Sequence, residues 1–108
     1  MNEFTITRDG AACRVVLGGD LTAVLIPKIQ AALKSEIEAG ALNLTFDLQK
    51  TVMLDSSGIG LLIAAFNSVT RKQGGMHVVN VSGEILQLLQ SMRLVARLNV
   101  SGRATSQP

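Results

Sequence analysis

The apolar residues of this chain change period as the sequence proceeds, and that change limits the fold more than composition does. "ALNLTFDL", residues 41–48, places Leu42, Leu44, Phe46 and Leu48 on one face and Asn43, Thr45 and Asp47 on the other. A spacing of two is a half-buried strand. Upstream, Leu25, Ile29, Leu33 and Ile37 recur every four residues, with Ala32 beside them. That spacing is a helix. It is predicted to begin near Ile26, which puts Pro27 in the first turn where its missing N–H costs nothing. Gly40 supplies the stop.

The remaining segments read in the same way. Phe4 and Ile6 alternate with polar neighbours, Asp9-Gly10 makes a hairpin turn, and Cys13 to Leu17 forms a second strand. A helix from Ser56 to Gln73 follows the loop 49–54 and is closed by Gly74-Gly75. "MHVVNV" is a strand, and "SGEILQLLQSM" is a helix with Ser82 as its N-cap and Leu88, Leu89 and Met92 facing inward. "VARLNV" is a last, short strand. The order ββαβαβα(β) means an α/β fold, with helices packed on a mixed four- to five-stranded sheet whose opening hairpin is antiparallel. One domain spans residues 1–100, and the polar stretch 101–108 is read as a disordered tail.

Composition narrows the function classes. The chain has 108 residues, enough for one core, and 47% of them are hydrophobic. Trp and Tyr are absent, so the core is aliphatic. A net charge of +2 with no basic cluster or aromatic platform opposes nucleic-acid binding. The longest apolar run, Ile59 to Phe66, is far short of the roughly 20 residues of a membrane span. No secretory signal opens the sequence. The single cysteine, Cys13, lies in a strand and reads as a buried reduced thiol. A soluble cytoplasmic protein is expected.

"MLDSSGIGLLIAAF", residues 53–66, is the candidate site. With a helical step of about 100° and Ile59 at about 0°, Leu62, Ile63 and Phe66 fall within roughly 60° of it and define the expected buried face. Ser56 then lies near about 60°, leaning inward, and Ser57 near about 160°, facing solvent. Leu61, Ala64, Ala65 and Ser68 share the side of Ser57 and form an expected flat apolar docking patch. The competing reading is that another helix covers this side. Asp55 and Ser56 both suit the N-cap. Gly58 and Gly60 cost a helix about 1 kcal/mol each relative to alanine, which calls for a close approach, either by another molecule or by the fold itself.

In this setting "VMLDSSGIGLL", with a strand ending "FDL" before it and "LGGDLT" further upstream, resembles the STAS domain of bacterial anti-sigma factor antagonists. The likeness runs from Phe4 to Val100 and takes in "GGMHVVNVSGEILQLLQSMRL". It implies a single STAS domain in a partner-switching protein, with no enzyme activity and no cofactor. It implies phosphorylation of Ser57 by an anti-sigma factor that is also a serine kinase. The unphosphorylated form would bind that kinase and free the sigma factor, and a PP2C-type phosphatase would restore it. By the same resemblance Gly19, Asp20, Leu21 and Thr22 form a loop beside the site and contact the partner, as do Asp55, Ser56, Ser57 and Gly58. The family often has aspartate where this chain has Thr22. A monomer or weak dimer is expected.

Two other classes compete. A serine hydrolase needs Gly-x-Ser-x-Gly and a base, but the serines are framed differently and the only histidine, His77, sits on a predicted strand. Asp20, Asp47 and Asp55 have no spacing that demands a metal. The alternative within the resemblance is a STAS adaptor in another signalling, secretion or lipid-transport complex.

Overall fold

The computed structural model describes residues 3–103. The elements are β1 (Phe4–Asp9), β2 (Ala12–Leu17), α1 (Ile26–Glu38), β3 (Asn43–Asp47), α2 (Ser56–Thr70), β4 (Gly75–Val81), α3 (Gly83–Ser91) and β5 (Val100–Gly102). They form one five-stranded sheet in the order β1-β2-β3-β4-β5. β1 pairs with β2 antiparallel, and every later pairing is parallel. The expected mixed sheet and element order are therefore present.

Strand order follows chain order, so each right-handed crossover returns its helix to the same side of the sheet. Burial agrees with that geometry. Cys13, Val15, Leu17, Leu44, Phe46, Met76 and Val78 occupy one face and are buried. The cross-strand row Arg14, Thr45 and His77 lies on the other face, which is exposed or half-buried. The molecule is thus two layers, with helices on one face of the sheet. Phe46, on the central strand, is the one fully buried aromatic of the described residues. Cys13 is a buried free thiol, and burial pushes its pKa up, with the Glu36 carboxylate adding to the effect. His77 is exposed on β4.

The open face carries one polar cluster. The Asp47 carboxylate, at the end of β3, accepts from Arg14 Nη2 at 2.7 Å, Gln49 N at 2.9 Å and Asn80 Nδ2 at 3.1 Å. Partial burial works to raise its pKa, but these hydrogen bonds outweigh burial and hold it below the usual carboxylate value.

α1 obeys its sequence pattern. It begins at Ile26 with Pro27 in the first turn, and Ile29 and Leu33 are its buried residues. Gly40, at φ +119°, takes the left-handed conformation that ends it. Other expectations need correction. α2 stops at Thr70, short of Gln73. In α3 the inward residues are Ile85 and Leu89, whereas Leu88 and Met92 are 38% and 45% exposed. The segment "VARLN" runs through turns, and the last strand is Val100–Gly102. Ser101 and Gly102, assigned above to the tail, therefore belong to the sheet, while residues 104–108 lie outside the described residues. No described helix is long and apolar enough to cross a membrane.

Candidate functional site

The largest correction concerns α2. Its buried residues are Gly58, Ile59, Leu61, Leu62, Ala65 and Val69. The buried face is rotated from the expected one, with Ile63 and Phe66 only half-buried. Phe66 carries the Arg97 guanidinium over its ring, 5.8 Å from the centroid. Leu61 is 3% exposed and Ala65 6%, so the expected docking patch is not a free surface. Leu61, Ala64, Ala65 and Ser68 instead face Leu33, Lys34 and Ile37 of α1 across a shallow groove. Only Ala64 of the expected apolar patch is exposed. The competing reading, a helix against this side, is the correct one.

The two serines exchange places with the face. Ser56, the first helical residue, is exposed, and Ser57, the second, is half-buried. Asp55 is the N-cap, and its Oδ1 accepts from Gly58 N at 2.9 Å. Gly58 has no room for a side chain. A Cβ there would stand 2.6 Å from the Leu21 carbonyl oxygen and 2.7 Å from Leu54 Cδ1. The first turn of α2 therefore sits directly on the loop that follows β2. The close approach inferred from the glycines is internal at Gly58, while a Cβ at Gly60 would meet open space.

Two loops at the C-terminal end of the sheet are stitched together under this turn. Leu21 bridges Leu54 in parallel fashion, and Leu21 N donates to Met53 O at 3.1 Å. Thr51, the buried polar residue of the described chain, donates from Oγ1 to Gly19 O at 2.7 Å. Asp20 Oδ1 accepts from both Val52 N and Met53 N at 2.9 Å. Those two bonds hold the Asp20 carboxyl below its usual pKa. Asp55 Oδ2 reaches back and accepts from Ala23 N at 3.1 Å.

Burial sorts the expected contact residues. Leu21 is wholly buried, as is its partner in the bridge to within 7%. Leu21, Gly58, Leu61 and Ala65 are therefore internal and do not present side chains to a partner. Gly19, Thr22, Asp55 and Ser57 are half-buried, and Asp20, Ser56 and Ala64 are exposed. The structure adds three residues that sequence reasoning missed. Val24, Val52 and Met53 are 84%, 69% and 57% exposed, and they ride on the two stitched loops beside the head of α2. The available signal was three large apolar residues lying outside any periodic segment.

Asp20 and Asp55 already spend carboxylate oxygens on backbone N–H groups. Among the described residues no three His, Cys, Asp or Glu side chains gather to hold a metal ion. The site offers a hydroxyl at a helix N-terminus and an apolar rim. That arrangement suits modification and docking.

Comparison with known proteins gives the same direction. The sequence model of the STAS domain family matches residues 3–103. An anti-sigma-B factor antagonist of Listeria monocytogenes is 25% identical over 77% of this chain and 73% of its own. One from Staphylococcus aureus is 23% identical over 94% of this chain and 93% of its own. The phosphorylated form of the Bacillus cell-fate determinant SpoIIAA superposes with a TM-score of 0.77 at 18% identity, covering 95% of this chain and 92% of that one. This last likeness establishes the fold.

Proposed function

Because this chain belongs to the STAS domain family, we propose that it is an anti-sigma factor antagonist switched by phosphorylation at the head of α2. The unphosphorylated form binds an anti-sigma factor that is also a serine kinase, and a PP2C-type phosphatase reverses the mark. The role is binding and release, with no reaction catalysed by this chain. The observation that carries the reading is the pair of serines at the N-terminus of α2, preceded in sequence by the exposed Val52 and Met53 on a loop hydrogen-bonded to the one that carries the exposed Val24.

The proposed acceptor is Ser57, the second serine of the pair and the one the resemblance marks. Ser56 is exposed and Ser57 half-buried, but the Ser57 hydroxyl is not sealed from solvent. A phosphate on Ser57 adds about −1.5 to −2 charge at neutral pH. It would stand at the positive end of α2, where an exposed anion is favoured by about 0.3–1 kcal/mol. The first turn is also locked against Leu21 and Leu54 through Gly58. Phosphorylation therefore leaves the fold intact and acts locally. It puts a charge, next to Asp55, into a surface whose apolar residues must shed water on docking. An unmatched charge there costs several kcal/mol, and about 1.4 kcal/mol is a tenfold change in affinity.

The test is to incubate the protein with ATP and each anti-sigma-type serine kinase encoded in the same genome, then map phosphate by mass spectrometry. Phosphate is expected on Ser57. Ser57→Ala should bind the kinase and resist phosphorylation, while Ser57→Asp should keep its fold and bind at least about 100-fold more weakly. Phosphate on Ser56 alone would move the acceptor to that residue. Phosphate on neither serine, or tight binding by Ser57→Asp, would overturn the switch.

A further inference from the structure

Asp20 and Asp55 are the acidic residues of the site, and by position they look like partner contacts. Their oxygens are turned to another use. Asp20 sits after β2 and reaches across 32 and 33 residues of sequence to the N–H groups of Val52 and Met53. Asp55 sits before α2 and reaches back across 32 residues to the N–H of Ala23. Each loop thus sends one carboxylate into the other. The N–H groups they hold belong to, or adjoin, the three exposed apolar residues. Val52 and Met53 are held directly, and Ala23 precedes Val24.

These apolar side chains have no burial to anchor them. At 84%, 69% and 57% exposure, Val24, Val52 and Met53 gain little from the core. Their direction depends on their backbone, and that backbone is fixed by carboxylate hydrogen bonds, which are stronger than neutral ones. A docking surface arranged before the partner arrives loses less entropy on binding.

We propose that Asp20 is a positioning residue for docking, acting through the Val52–Met53 backbone rather than by touching the partner, with Asp55 as its reciprocal in the other loop. The proposal rests on the docking reading above, and its test separates the two. Asp20 is the better probe, because Asp55 also caps α2. Asparagine at position 20 keeps an oxygen that can accept both bonds, whereas alanine removes it.

Two measurements decide the matter. Amide hydrogen exchange at Val52 and Met53 should speed up about tenfold or more in Asp20→Ala, with core amides such as that of Phe46 unchanged. In Asp20→Asn it should stay within about threefold of the wild type. Binding to the anti-sigma kinase found in the preceding experiment should weaken about tenfold in Asp20→Ala and no more than about threefold in Asp20→Asn. In a Val52→Ala/Met53→Ala background the Asp20→Ala loss should disappear, since residues acting through one another are not additive.

Unchanged exchange at Val52 and Met53 in Asp20→Ala would overturn the positioning role. So would Asp20→Asn binding as poorly as Asp20→Ala with both amides still protected, because the charge itself would then meet the partner. If Asp20→Ala fails to fold, Asp20→Asn still separates these outcomes. If no anti-sigma kinase binds the wild-type protein, the docking reading fails and takes the role in docking with it. The exchange data then still decide whether Asp20 holds the loop.

Discussion

α1 and α2 pack side by side on the same face of the sheet, yet they differ in how plainly their sequences mark the buried side. α1 has apolar residues every four positions, with Lys28, Lys34 and Glu36 between them and Glu38 after the last. α2 runs from Ser56 to Thr70 without a single charged residue. A hydrophobic stripe sets the rotation of a helix only when polar residues mark the other side. In α2 nearly every phase is apolar, so periodicity leaves its rotation open. Packing chooses it. The helix turns Leu61 and Ala65 toward α1 and brings Gly58 against Leu21 and Leu54.

The largest effect that tests this contrast is a charge placed on the reassigned face. Leu61→Asp should cost about 3–5 kcal/mol or unfold the protein, because an unpaired carboxylate would be buried. Lys34→Ala, on the exposed wall of α1 across the groove, should change stability by no more than about 0.5 kcal/mol. Urea denaturation of both variants measures the difference. A folded Leu61→Asp protein of near-normal stability would restore the exposed apolar face.

Within α2 the two glycines of the first turns give a finer test. Gly58→Ala should destabilise by about 1–3 kcal/mol, since its Cβ would overlap backbone and a leucine methyl. Gly60→Ala meets nothing and should stabilise the helix by about 0.5–1 kcal/mol. Melting curves of the pair should move in opposite directions. If both stabilise, the first turn is not seated on the loop as described.

The smallest effect is a pH dependence from the strand that leads into α2. The folded-state pKa of Asp47 is depressed, so its contribution to stability is present above its unfolded value near about 3.9 and is lost as pH falls through the folded one. Urea midpoints should therefore decline on acidification below about pH 4, and Asp47→Asn should remove part of that slope. An Asp47→Asn variant with the wild-type acid profile would show that its hydrogen bonds do not favour the charged form.

Much of the fold was legible because its signals are local. The alternation in β3, the every-four stripe of α1, the Asp9-Gly10 turn and the cap at the start of α2 each depend on a few adjacent residues. The docking site was legible only in part. "DSSG" gives the helix start and the hydroxyls. It does not say how far each serine is exposed, because that depends on the rotation of the helix behind it. Asp20 and Asp55 could be read as contacts, since nothing in a linear sequence joins Asp20 to amides more than thirty residues away. Leu88 and Met92, expected inward, are exposed, and Leu61, expected outward, is buried: an apolar residue does not by itself say which way its helix faces.

The amino-acid sequence alone determined a single α/β domain, its strand and helix order, the antiparallel start of its sheet and a family likeness centred on residues 52–62. Those follow from periods, caps and turns within a few residues of one another. The tertiary structure decided the rotation of α2, hence the exposure of Ser56 and the burial of Leu61. It also decided that Asp20 and Asp55 clasp two loops carrying Val24, Val52 and Met53. These depend on contacts between segments far apart in the chain, where close packing and the need to satisfy backbone N–H groups choose among arrangements that local pattern leaves equal.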